Sequence, residues 1–266
     1  MEEDISFNPF EEYAIPWETF RKEIFNADGV VKTSQQGYNG DCWLLSAINC
    51  LSYCEEGRRL IKEAITKTED DSYNVYFKGI NMTYTIPLEK IEHAYKDSTY
   101  SKGDINMLLF ELAIEEFRKD IYYKKIEVKE KIPSYAISTT KGFFWENKNN
   151  GGRAEQVFFL LSKKPSIIVN SMNGIAKCLE KFQLNREHSV MSVSFQKEMD
   201  RKYYSIKDIY NKEIKIQKNH EYAIKEVNYD WITIVNPHNS AESMTIEIYL
   251  FGLLEAFVCY CDLKDY

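Results

Sequence analysis

With 266 residues, 44% of them apolar and 28% charged, the chain can form one large domain or two packed lobes, and it is too apolar for extended disorder. A net charge of -7 without any dense Lys/Arg block excludes nucleic acid as a main partner; Lys124-Lys125 and Lys163-Lys164 read as solvated pairs at loop ends. The acidic opening Met1-Glu2-Glu3-Asp4 leads into no apolar run, so no secretory signal is expected, and the nearly apolar stretch Ile248–Cys261 is too short for membrane insertion.

In chain order, the first informative stretch is Gln36-Gly37-Tyr38-Asn39-Gly40-Asp41-Cys42-Trp43-Leu44-Leu45. Leu44, Leu45, Ile48 and Leu51 recur at helical spacing, so a core-facing helix is expected to carry Cys42 at its start, with Asp41 as N-cap. A thiol at a helix N-terminus feels the positive end of the dipole and unsatisfied N–H groups, both of which favour the nucleophilic thiolate. Gln36 is a neutral side-chain donor suited to an oxyanion beside that sulfur.

Between Ser72 and Pro87 the alternation of Tyr73, Val75, Phe77, Tyr84 and Ile86 predicts a hairpin turning near residues 78–81. Asn106–Lys119 reads as a buried helix. A polar, glycine-containing loop at Lys148–Arg153 precedes a short helix over Ala154–Leu161. The character then changes. Ser166–Asn170, His188–Phe195, Tyr203–Ile206, His220–Val227, Trp231–Val235 and Met244–Ile248 are β-branched or aromatic runs separated by turns. An α+β fold is expected, with a helical lobe over residues 1–163 carrying the nucleophile and a sheet lobe over 164–266. Active sites often occupy such interfaces.

Six cysteines in a chain this long do not make a disulfide framework. Cys42, Cys50 and Cys54 fall on one predicted helix, and Cys178 stands alone. Cys259 and Cys261 share a strand face, but a C-x-C pair without further ligands is a poor zinc site. All but Cys42 read as small apolar core residues, and a reducing, cytoplasmic setting follows as an expectation.

A nucleophilic cysteine needs a base, and only four histidines exist. His93 lies in a polar, helix-like stretch, His188 opens an apolar strand, and His238 follows Pro237 in a turn. For His220, a hairpin centred on Asn228 sets His220 opposite Asn236 and Tyr222 opposite Ile234. Directly opposed side chains are close enough for an amide-to-imidazole hydrogen bond. That bond would fix the tautomer and aim the other ring nitrogen at sulfur.

These residues resemble a family. Q-G-x-x-G-D-C-W-L-L is similar to the signature of the calpain-type cysteine proteases, within the papain-like fold. His220-Glu221-Tyr222 looks like the family's H-A-Y, and Asn236-Pro237 like its N-P-W. Leu108–Ala113 and the segment from Gly151-Gly152 to Phe158 look like two weaker helical-lobe segments. The order Cys, His, Asn is the family's, and the likeness covers most of the chain as a protease core alone.

The resemblance implies Cys42 as nucleophile, His220 as general base and then acid, and Asn236 as orienter. Gln36 and the Cys42 backbone N–H would form the oxyanion hole, and Trp43 a structural wall. Gly40, Asp41, Gly151, Gly152, Tyr222 and His238 would line or support the cleft. Two departures carry expectations. His238 replaces the family's tryptophan, which bears on shielding of the His220–Asn236 bond and introduces a ring that can titrate near neutrality. Thr33 or Ser34 stands where the family's calcium site has an acid, so no metal or cofactor is expected and calcium dependence should be weak or absent.

The expected function is therefore an intracellular thiol endopeptidase acting on protein or peptide substrates. Two alternatives remain open: a deamidase, transglutaminase or deubiquitinating enzyme using the same triad, and a protease-fold binding module. Delivery to another cell by a specialised route is compatible with either kind of enzyme.

Overall fold

The computed structural model describes residues 16–17, 31, 34–124, 151–197 and 202–264. The expectations for residues 1–4, 28–30, 32–33, Lys125 and 148–150 fall outside them.

Helix α1 (Cys42–Ser52) is apolar nearly all round and buried from Trp43 to Ser52, as a helix covered on every side must be. It packs on α2 (Glu55–Ala64), whose N-cap Cys54 sulfur accepts the Gly57 N–H at 3.3 Å. Strands β1 (Ile65–Lys67), β2 (Tyr73–Phe77) and β3 (Met82–Ile86) form an antiparallel sheet, with β2 and β3 as the expected hairpin. Helix α3 (Leu88–Lys96) follows. Then α4 (Ile105–Lys124) packs on the small sheet, where Phe117 meets Phe77 at 6.0 Å and Tyr84 at 6.3 Å between ring centroids.

Helix α5 (Ala154–Ser162) ends at Lys163, which adopts the left-handed region (φ 63°) and turns the chain into the second half. There, β4 (Ser166–Val169) leads to α6 (Met172–Leu184) and a short 3-10 turn ending at His188. The remaining elements are β5 (Ser189–Phe195), β6 (Tyr203–Lys207), β7 (Glu213–Gln217), β8 (Glu221–Val227), β9 (Trp231–Asn236), β10 (Asn239–Glu247), α7 (Tyr249–Leu253) and β11 (Ala256–Asp262). Six strands form one antiparallel sheet in the order β10-β9-β8-β5-β11-β4, and β6 pairs β7 separately.

The large sheet has a core on each face, because successive side chains alternate. Val190, Ala223, Val235, Cys259 and Cys261 join the core built with α1, α4 and α5. Met191, Val193, Tyr222, Ile224, Ile232 and Val258 face a second core closed by α6 and α7. Helix α6 runs counter to the reading of this half as strands and turns. Ile175, Cys178, Leu179 and Phe182 bury one helical stripe, and the Ser171 hydroxyl caps the helix by accepting the Gly174 N–H. All six cysteines are free; Cys42 is half-buried and the other five are buried.

Two local expectations are corrected. Asp41 occupies the N-cap position of α1, but its side chain makes no cap hydrogen bond; its carboxyl engages Glu111 on α4 instead. His188 closes the 3-10 turn rather than opening β5.

Candidate active site

The loop before α1 is stitched on both sides. Gln35 and Lys102 exchange backbone hydrogen bonds at 2.9 Å, Tyr38 N–H donates to Ser98 O at 3.1 Å, and Asn39 N–H to Thr99 O at 3.0 Å. On the other side, Gln36 N–H donates to Pro237 O at 3.0 Å and Ser240 N–H to Ser34 O at 3.1 Å. The loop that leads into Cys42 is thereby tied to the turn after Asn236. Lys102 anchors the first side: its buried ammonium donates to the carbonyls of Ala94, Tyr95 and Asp97, closing the end of α3. Gln36 is itself buried, with Nε2 donating one hydrogen to Asn39 O at 2.6 Å.

A buried acid pair lies beneath this loop. Glu111 accepts from the Ser101 N–H at 2.9 Å and from the Ser101 hydroxyl. Burial pushes both Asp41 and Glu111 up, and the Glu111 carboxyl beside Asp41 raises it further.

The wall opposite is built from two glycines. Gly151 has φ +85°, a conformation open to glycine, and its N–H donates to Gly40 O at 3.0 Å. Arg118 donates to Gly151 O at 2.8 Å while its guanidinium lies 5.1 Å over the Trp43 ring. At Gly152 a Cβ would stand 2.0 Å from that ring, so the close approach requires glycine.

His220 precedes β8 and is buried, with Nε2 2.8 Å from Asn236 Oδ1. The same Asn236 atom accepts the His238 backbone N–H at 3.0 Å. A backbone N–H is always a donor, so that atom is the amide oxygen. His220 Nε2 therefore carries the hydrogen, and in the neutral ring Nδ1 keeps its lone pair. The His238 ring stacks on His220 at 4.6 Å and 4°, and Tyr222 meets it edge-on at 4.9 Å.

The contact forms in a different register from the one expected. Ala223 pairs Val235 and Ile224 pairs Ile234, with a bulge before Glu226 pairs Thr233. Ile234 thus opposes Ile224 rather than Tyr222. Continued past the strand ends, this register sets His238 opposite His220 and makes the Asn236 contact diagonal. The slip is two residues, so side-chain parity is kept.

Cys42, Gln36, His220, His238 and Gly152 line one cleft of about 1040 Å³. Tyr38, Asn39, Gly40, Trp43, Gly151 and Arg153 share its walls. Tyr222 and Asp41 support from behind. His93 is exposed on α3, and neither it nor His188 is among the cleft-lining residues.

The electrostatics differ from the expectation of a helix-lowered thiol. Burial pushes the Cys42 thiol up to about 12, partly offset by the Glu221 and Trp43 backbone N–H groups. Burial pushes His220 down to about 3, and His238 is lowered by the same cause. Desolvation outweighs the helix end, and burial favours the neutral thiol and the neutral imidazole.

Sequence reasoning missed Glu111, Arg118, Lys102, Arg153 and Glu221. Glu221 lines the cleft, accepts from the Ser192 hydroxyl at 2.5 Å, and is raised to about 7 by burial. Its place within His220-Glu221-Tyr222 was a signal, since a carboxyl there directly follows the candidate histidine. Among the described residues no group of three or more His, Cys, Asp or Glu forms a metal cluster, and no helix is long and apolar enough to cross a membrane.

No protein-family model matches the chain, and no curated protein matches it.

Proposed function

We propose that this chain is a papain-like, calpain-type thiol endopeptidase that cleaves extended protein segments through a Cys42 acyl-enzyme. The observation that carries this reading is the His220–Asn236 hydrogen bond beneath a stacked ring, in one cleft with a half-buried cysteine at a helix start.

The sequence of steps uses only these groups. His220 Nδ1 takes the Cys42 proton as sulfur bonds to the substrate carbonyl carbon. The second Gln36 Nε2 hydrogen and the Cys42 backbone N–H receive the oxyanion, a donor arrangement in which each bond is worth roughly a hundred- to thousandfold in rate. The tetrahedral adduct expels the amine, which takes the proton from Nδ1. Water then gives a proton to Nδ1 and attacks the thioester, and the departing sulfur recovers that proton as thiol. Asn236 holds the imidazolium throughout. No step calls for a metal, and we read the activity as calcium-independent. Six free thiols support action in a reducing setting such as the cytoplasm.

The test is mass analysis of a protein pool incubated with the chain and with its Cys42→Ala variant, in chelator and mild reductant. New internal termini dependent on Cys42 are expected. One-dalton shifts or crosslinks without new termini would instead establish deamidation or transglutamination, and an unchanged pool would favour a binding module.

A further inference from the structure

The cleft carries a charge that the chemistry above does not use. Ser194 of β5 pairs Glu221 of β8 and Phe257 of β11, so the three side chains stand in a row across the sheet on one face. All three line the cleft with Cys42, and the Glu221 backbone N–H lies against the Cys42 sulfur. Gly151 and Gly152 line the same cleft and bring no side chain into it.

Glu221 is only half satisfied. One carboxyl oxygen accepts the Ser192 hydroxyl at 2.5 Å, and the other has no partner among the described residues. The charged groups that act on it are Arg153 and Glu155 at the start of α5; the Cys42 thiol lies beside its backbone, and Glu255, just before β11, lines the same cleft. Arg153 Nε lies 3.6 Å from Glu155 Oε1, so its charge is shared with a second carboxyl. A buried carboxylate in such a setting favours a cation. The calpain-like H-A-Y pattern has a methyl group where this chain has that carboxyl.

We propose that the pocket formed by Glu221, Ser194 and Phe257 beside Cys42 receives a lysine or arginine side chain of the substrate, with Glu221 as its counter-charge. This rests on the endopeptidase reading. Phe257 packs against the aliphatic stem and Ser194 lies beside the head group. A bound cation stabilises ionised Glu221, so the preference for a basic residue strengthens as pH rises toward about 7, where the empty-site carboxyl loses its proton, and is level above it.

The test is the rate of Cys42 alkylation by paired peptidyl epoxysuccinates carrying lysine or its neutral isostere norleucine, placed in turn at the first and second residue from the warhead. At one position the lysine reagent is expected to react about ten- to hundredfold faster, the range of one charge-assisted contact. The ratio should fall toward one in Glu221→Gln, which can still accept from Ser192, and favour norleucine in Glu221→Ala. Equal rates at both positions, or a lysine preference that survives Glu221→Gln, overturn the proposal and leave the endopeptidase reading standing. Alkylation by neither reagent of any pair refutes that reading, and this inference with it.

Discussion

Replacing Asn236 with alanine removes one oxygen that serves two donors, His220 Nε2 at 2.8 Å and the His238 N–H at 3.0 Å. His220 is 3% exposed, so its Nε2–H cannot turn to water, and an orphaned buried donor costs about 1–3 kcal/mol of folding stability. The effect on rate has a separate origin. When His220 takes the Cys42 proton, its bond to Asn236 becomes charge-assisted and is worth about 1.5–3 kcal/mol. At 1.36 kcal/mol per decade, kcat/KM should fall roughly 10- to 150-fold. The assay is hydrolysis of a fluorogenic peptide, with urea unfolding run in parallel to confirm that the variant is folded under assay conditions. The His238 stack should hold the ring near its place, so the loss should stay smaller than in His220→Ala. A folded Asn236→Ala variant within about threefold of the parent in kcat/KM would refute the orienting role.

Gly152→Ala should lose about 1–3 kcal/mol in urea unfolding and lower kcat/KM, because the new methyl meets the Trp43 ring at 2.0 Å and the cleft wall must shift. His238→Ala should reduce kcat/KM by roughly two- to tenfold through loss of the 4.6 Å stack, and His238→Trp should restore it. Stability should follow pH through two opposed groups. His220 falls from 6.5 to about 3, so its contribution is present above 6.5 and is lost as pH falls toward 3. Glu221 rises from 4.5 to about 7, so its contribution is present below 4.5 and is lost as pH rises through 7. Glu221→Gln removes the second contribution, so between pH 4.5 and 7 its urea midpoint should fall less, or rise more, with pH than the parent's, in measurements from pH 4 to 8.

Much of this architecture was legible because strong local patterns decided it. The residues around Cys42 are apolar at helical spacing, and the β2–β3 hairpin alternates cleanly. Helix α6 was missed although Ser171 and the Ile175, Cys178, Leu179, Phe182 stripe marked it; neighbouring β-branched runs masked the change of period. The His220–Asn236 contact was anticipated from a register two residues away from the observed one, and it survives because a two-residue slip keeps both side chains on one face. What the sequence could not show was desolvation. Asp41 looks like a cap until Glu111 arrives from a helix seventy residues later, and Cys42 looks activated by its helix until its burial is known.

The central claim is that Cys42 is a nucleophile served by His220. Intact-mass and peptide mapping after reaction with a peptidyl epoxysuccinate, in excess chelator and mild reductant, tests it directly. The account predicts a single adduct, at Cys42, that is lost in His220→Ala. An adduct on another cysteine, or one at Cys42 that forms equally fast without His220, would contradict it.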